Sequence, residues 1–319
     1  MSAVTGKKPA ASDQLRLLDH IQLEHLVAGT IAGITSTLAL HPLDVLKIRF
    51  AVHDGRSNAT PKYNSILSGF GTIYRNEGFR GLYRGVTPNI WGAGSSWGLY
   101  FLFYNATKNY MQKGNPSTVL GPASHLLAAA QSGFATLLLT NPLWVVKTRL
   151  CLEYCTETRR VTQYNGMMDC LTKIYAIEGI KGYYKGLVPG IFGISHGAVQ
   201  FMVYEEMKKV YYHYYNLPAA SKLGTIEYLT FSATSKLVAA FATYPYQVVR
   251  ARLQNQHHHY DGTLDCIRQT WQYEGWRGFY KGLSTNLLRV TPATMITFWT
   301  YENISHLLLK RDKTVVLST

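Results

Sequence analysis

The sequence predicts an all-α membrane protein made of three copies of one helical unit, each copy a spanning helix, a short amphipathic helix and a second spanning helix. Three observations carry the prediction. A block of landmarks returns three times: Pro42, Pro142 and Pro245 stand 100 and 103 residues apart, and each is followed in the same order by Tyr63-Asn64, Tyr164-Asn165 or Tyr260-Asp261, an acid-glycine pair and an aromatic. Charged residues make up only 16% of the chain beside 47% hydrophobic ones, where a soluble domain carries about 25% charge. Mean hydropathy is −0.06 and no stretch offers about 20 uninterrupted apolar residues. The spanning helices must therefore carry polar groups on a face turned away from lipid, and such faces line a cavity.

The elements follow in chain order. Residues 1–21 form an N-terminal tail without an apolar core segment, read as neither a secretory signal nor a cleaved transit peptide. The first repeat occupies 22–115. Its first helix, 23–53, begins apolar and turns basic just past Pro42 in HPLDVLKIR; a proline inside it kinks the helix, and Gly29 and Gly33 give it a small-residue seam for close contact. Ile66, Phe70, Ile73 and Tyr74 then fall at i, i+4, i+7 and i+8, the stripe of a helix lying on the membrane surface. EGFRGLYRG and an apolar, aromatic helix over 86–110, ending near Tyr104, complete the unit.

The second repeat, 116–217, has its first helix at 124–152, with Ala129 and Gly133 before NPLWVVKTR. It repeats the surface stripe as Met167, Leu171, Ile174 and Tyr175, then EGIKGYYKG and a helix over 187–213 carrying Tyr204. The third, 218–310, has YPYQVVRAR in a helix over 226–254, EGWRGFYKG, and a helix over 283–308 carrying Tyr301. Its seam positions hold Ser232 and Lys236. A lysine inside a span is a candidate solute contact, with snorkelling or helix capping as the plainer reading. Residues 311–319 are a C-terminal tail.

Composition excludes several classes. The 32 Lys+Arg against 18 Asp+Glu give +14, which suits an anionic solute or lipid. No zinc finger, RNP-like run or basic arm points to nucleic acid. Cys151, Cys155, Cys170 and Cys266 form no CxxC pair, and His257 to His259 read as a polar loop, so no metal site is expected. The sequons at Asn58, Asn105 and Asn303 read as chance matches. GISHG at 193–197 matches a nucleophile elbow, but it lies inside an apolar segment at the repeat position of WGAGSS, where the required strand-turn-helix is missing. No catalytic residue and no bound cofactor are expected.

Three copies of Pro-x-acid-x-x-Lys/Arg, of acid-glycine and of aromatic-Lys/Arg-Gly resemble the mitochondrial carrier family over about residues 22–310. The resemblance implies six transmembrane helices in threefold pseudosymmetry around a central cavity, a monomer in the inner mitochondrial membrane, and alternating access with a gate at each end. Tryptophan in the acid position of NPLWVVKTR resembles the branch that carries nucleotides and nucleotide-like cofactors, and with HPLDVLKIRFAV, TPNIWGAGSSWGLYF and TYPYQVVRARLQ it implies an anionic ring-bearing solute, folate or FAD. A pyrimidine nucleotide or NAD is the alternative solute, and a non-transporting scaffold the alternative class.

Carried residue by residue, the family's matrix gate falls on Asp44 with Lys147, Trp144 with Arg250, and Gln247 with Lys47. Only the first is an ion pair; the second is at best a cation–π contact and the third a charge-assisted hydrogen bond. Counting Lys47, Arg49, Lys147, Arg149, Arg250 and Arg252 against Asp44 leaves five uncompensated cations on the cavity floor, unless Arg49, Arg149 and Arg252 face headgroups or water. The cytosolic gate falls on Tyr104, Asn105 and Lys108; Tyr204, Glu205 and Lys208; and Tyr301, Glu302 and Ser305, with Glu302–Lys108 the one ionic bridge.

The family's solute contacts fall on Gly92 and Ala93, Phe192 and Gly193, and Arg289 and Val290. The glycines beside Trp91 and Phe192 are expected to leave flat slots for a fused ring, and Arg289 to fork onto a carboxylate or phosphate. Trp144 and Lys236 complete the expected solute set. Gly78, Gly85, Gly179, Gly186, Gly275 and Gly282 are the family's cardiolipin positions, where helix N-termini present amides to phosphate; a turn role is the plainer reading.

Overall fold

The computed structural model describes residues 11–55, 63, 65–112, 121–154, 163–216, 218 and 223–316. Cys155, Asn58 and Asn64 lie outside them. Among the described residues the regular structure is entirely helical. Helix α1 (Ala11–Val52) is followed by α2 (Ile66–Leu82) and α3 (Val86–Met111); α4 (Pro122–Cys151) by α5 (Met167–Glu178), α6 (Ile180–Tyr183) and α7 (Leu187–Tyr214); and α8 (Thr225–Gln254) by α9 (Thr263–Glu274), a 3₁₀ turn (Trp276–Tyr280) and α10 (Leu283–Val316). The first helix starts at Ala11, so it takes in part of the expected tail.

Three segments among the described residues are long and apolar enough to cross a membrane: Val27–Val52, Ala123–Cys151 and Ile180–Tyr214. The other long helices, α3, α8 and α10, span 26, 30 and 34 residues. Pro42, Pro142 and Pro245 all lie inside helices. Contacts divide the chain into two compact units, one holding α1 up to Leu40 with α10 from Arg289, the other running His41–Leu288. In the first, Ser36 Oγ donates to the Ala293 carbonyl at 3.1 Å.

In the second unit each surface helix folds back onto the segment beyond its proline. Ile73 and Ile174, from the two expected stripes, are buried with Val45 and Leu46 and with Val145 and Val146 respectively. The equivalent third position is Thr270, also buried, whose hydroxyl accepts from Arg252 at 3.0 Å. The exposed members of the stripes, Tyr74 and Tyr175, point away from this core.

The surface helix breaks at the same place three times. Gly78, Gly179 and Gly275 have φ of 68°, 66° and 63°, a region that glycine enters at little cost and residues with a Cβ rarely adopt. A second break follows at Gly85, Gly186 and Gly282. There a Cβ would lie 2.9 Å from the Lys147 carbonyl, 3.1 Å from that of Arg250 and 2.8 Å from that of Lys47. These three glycines therefore let each repeat press its corner onto the backbone of another repeat, at a cation expected in the matrix gate.

The small-residue seam is uneven. At Gly133 a Cβ would come 3.2 Å from Ile194, so α4 and α7 do pack closely there, whereas at Gly29 and Gly33 it would meet nothing within 4 Å. Close contact at the first pair is thus not found.

Candidate functional site

All six residues expected at the matrix gate line one cavity of about 370 Å³. Asp44 Oδ2 lies 3.5 Å from Lys147 Nζ, and Lys47 Nζ donates to Gln247 Oε1 at 2.8 Å. Asp44 also accepts from Asn89 Nδ2 at 3.3 Å. His41 fixes that amide: its Nε2 donates to the Arg84 carbonyl at 2.9 Å, which leaves Nδ1 to accept from Asn89 at 3.3 Å.

The second expected contact is replaced. Arg250 Nη2 donates to Asn141 Oδ1 at 3.0 Å, and the cation over the Trp144 ring is Lys147, 5.3 Å from its centroid. Asn141 can hold Arg250 because its Nδ2 is anchored on the Tyr183 carbonyl at 2.7 Å. Lys147 therefore sits between a carboxylate and an indole face, while a neutral amide takes the arginine.

The expected excess of five cations is also corrected. Arg49, Arg149 and Arg252 are buried, not turned to headgroups. Arg49 grips both oxygens of Glu77, Arg149 pairs with Glu178 at 2.7 Å, and Arg252 with Glu274 at 2.5 Å. Burying a guanidinium this deeply requires a partner charge, and the acid-glycine landmark supplies it each time. The same carboxylates take a second cation from the aromatic-Lys/Arg-Gly block: Arg84 at 3.7 Å, Lys185 at 2.8 Å and Lys281 at 2.5 Å. What remains on the cavity wall is Lys47, Lys147 and Arg250 against Asp44, still a surplus of positive charge. The acid-glycine pairs were in view as landmarks; their pairing role could have been read from an acid recurring in step with a second cation.

The expected ring slots are filled from within. A Cβ at Gly92 would lie 3.6 Å from the Trp144 indole, and one at Gly193 would come 2.9–3.1 Å from the Tyr246 ring. The aromatic beside each glycine in sequence is not the one beside it in space: Trp91 and Phe192 are largely exposed, at 62% and 63%. Tyr246 was missed because it stands where repeats one and two have Leu43 and Leu143. The contacts pair Gly92 with Gly193, one residue off the register counted back from the tyrosines; counted forward from Gly85, Gly186 and Gly282, the third equivalent is Arg289.

Ala93 is half-buried in α3, and Arg289 and Val290 are half-buried in α10 of the first unit. Lys236 is half-buried in α8. Toward the other end, Tyr104 Oη lies 2.8 Å from His125 Nδ1 and Tyr204 packs edge-on to Tyr228 at 6.2 Å, so these tyrosines reach the next long helix. Asn105 is exposed and Lys108 half-buried. Glu205 and Lys208 lie 3.9 Å apart on one helix. Tyr301 and Ser305 are half-buried and Glu302 exposed in α10.

Elsewhere, Ser195 of GISHG sits inside α7 with its hydroxyl on the Phe192 carbonyl at 2.6 Å. His257 Nε2 donates to the Leu152 carbonyl at 2.9 Å, and no group of metal-ligating side chains occurs among the described residues.

The profile described as "Mitochondrial carrier protein" matches residues 20–115, 118–215 and 221–312. The chain belongs to the mitochondrial carrier family. It is a multi-pass membrane protein of the transporter class. Over 303 residues it is 42% identical to "Folate transporter 1, chloroplastic" of Arabidopsis thaliana, covering 92% of this chain and 98% of that one. It is 41% identical over 290 residues to "Nicotinamide adenine dinucleotide transporter 1, chloroplastic" of the same plant, covering 88% and 91%. To the mitochondrial pyrimidine nucleotide transporter of Saccharomyces cerevisiae it is 31% identical over 323 residues, covering 89% and 85%. The positions expected at the matrix gate thus hold one ion pair, one amide-held lysine and one amide-held arginine.

Proposed function

We propose that this mitochondrial carrier moves an anionic, ring-bearing cofactor, folate or FAD, across the inner mitochondrial membrane by alternating access. The observation that carries the reading is the gate cavity: three cations face one carboxylate, and Trp144 presents an indole where Asp44 stands in the first repeat. Such a wall attracts phosphate or carboxylate and offers a flat face to a heterocycle. Trp91, Gly92, Ala93, Phe192, Gly193, Lys236, Arg289 and Val290 are the proposed solute set, with Arg289 the fork for the anionic group. NAD is the second reading, favoured by the relative named for its transport at 41% identity.

On the same proposal the solute displaces Trp144 and Tyr246 from the glycine slots, the six glycine corners take cardiolipin, and the protein works as a monomer. Purified protein in liposomes, offered labelled folate, FAD, NAD and UTP, tests the solute. Uptake of folate or FAD above protein-free vesicles is expected. Uptake of NAD or UTP alone reassigns the solute, and uptake of none favours a scaffold.

A further inference from the structure

One turn along α7 from Gly193 lies His196, which no part of the gate uses. Its Nδ1 is 2.8 Å from Thr243 Oγ1 on α8. Thr243 Oγ1 is in turn 2.6 Å from the Ala239 carbonyl. An oxygen pair that close needs a proton between them, and only the threonine has one to give. The Thr243 oxygen can therefore only accept from His196, so in the neutral ring the proton sits on Nδ1 and Nε2 is a lone-pair acceptor. The imidazole's other partner is the Ala239 backbone, the same carbonyl that takes the threonine proton.

The ring is half-buried where α7 packs on α8. The side-chain charges that act on it are those of Lys236 and Lys47, and Lys47 is a wall residue of the gate cavity. His196 and Gly193 share one face of α7, and Thr243 and Tyr246 share the facing side of α8. A heterocycle seated in the Gly193 slot would bring its edge within reach of this imidazole.

We infer that His196 is a further solute-reading residue, whose Nε2, held as an acceptor by Thr243, takes an N–H from the edge of the transported heterocycle. This deepens the proposed function and rests on it. A ring N–H or exocyclic amine is the feature recognised, which pteridine, isoalloxazine and adenine edges carry and a plain polyphosphate lacks. A site with a fixed acceptor discriminates strongly against an analogue that cannot donate to it.

The test compares whichever of folate, FAD or NAD the wild type takes up with its analogue methylated at the heterocycle N–H. His196→Asn keeps a donor in the place of Nδ1 and so keeps the Thr243 bond, but removes Nε2. His196→Gln does the reverse. The expected result is that His196→Asn melts within about 2 °C of wild type, needs roughly tenfold more parent solute for half-maximal uptake, and prefers the parent over the methylated analogue by less than twofold. His196→Gln should retain most of the wild-type preference at a lower melting temperature. A preference kept intact in His196→Asn would be steric in origin and would overturn the inference, as would loss of stability in that variant with unchanged uptake. If the wild type takes up none of the three, the functional reading itself has failed and takes this inference with it; uptake by the wild type with an intact preference in His196→Asn removes the inference alone.

Discussion

Glu274 is held between Arg252 and Lys281, each at 2.5 Å. Burial pushes its carboxyl up, but the hydrogen bonds and charges of Arg252 and Lys281 outweigh burial and hold it below its ordinary value of 4.5. A folded-state value below the unfolded one stabilises the protein above about pH 4.5, and that contribution is lost as pH falls through the folded value. Glu274→Ala leaves the buried Arg252 unpaired, a loss of about 3–5 kcal/mol. The melting temperature of the detergent-purified variant should drop at pH 7, and its drop relative to wild type should shrink below pH 4. Cys170 and Cys266 offer a second check, because they occupy one repeat position and are both fully buried. Burial pushes the Cys170 thiol up to about 12 and that of Cys266 to about 11, so little thiolate exists at neutral pH. Maleimide labelling followed by mass spectrometry should find both unmodified in the folded protein and both modified after denaturation; rapid labelling of either in the native state would contradict the burial.

At the scale of the element, the corner glycines decide more than their turn geometry suggests. Gly282→Ala would force a left-handed backbone on a residue with a Cβ and drive that Cβ to 2.8 Å from the Lys47 carbonyl. The strain alone costs about 1–3 kcal/mol, and the clash adds to it. A fall of several degrees in melting temperature is expected; Gly275→Ala should also fall, by backbone strain alone, because its φ of 63° and ψ of −157° suit only glycine and a Cβ there meets nothing within 4 Å. An unchanged melting temperature in Gly282→Ala would show that the corner does not rest on the Lys47 carbonyl. The helices themselves were legible from periodicity, but Ile66, Phe70, Ile73 and Tyr74 read in the sequence as one membrane-lying stripe, and the structure splits it, burying Ile73 against α1 and leaving Tyr74 exposed. What could not be read was pairing across repeats. Asn141 and Tyr246 stand where the sister repeats have His41 and Leu43, so no recurrence marked them. The partner of Trp144 was misassigned for a related reason, since threefold register pointed to Arg250 and could not show that Asn141 offers that arginine a better oxygen.

For the molecule as a whole, the proposed alternating access makes gate strength the quantity that sets how readily the two states exchange. In the gate cavity Asp44 and Lys147 form an ion pair 3.5 Å across. Asp44→Asn should weaken the closed gate by about 1–2 kcal/mol, discounted for partial exposure, which speeds escape from that state by roughly five- to thirtyfold if the transition state shares none of the loss. Uptake into liposomes lacking any internal counter-solute should rise accordingly; unchanged uptake would place the rate-limiting barrier elsewhere. Arg250→Ala should act in the opposite sense on an anionic solute, lowering uptake most at low ionic strength, where the attraction of the basic wall is least screened.

The corner contacts close on themselves: Gly85 leans on Lys147, Gly186 on Arg250 and Gly282 on Lys47. Linear repeat proteins stack each unit on the one before and need specialised caps where the stack stops. A cycle of three has no first or last member, so it needs no caps, and for the same reason it has no smaller working version. A fragment holding two repeats would leave one glycine corner with no backbone to rest on and one gate lysine or arginine with no corner beneath it, so the third repeat is the piece that turns a chain of contacts into a closed ring.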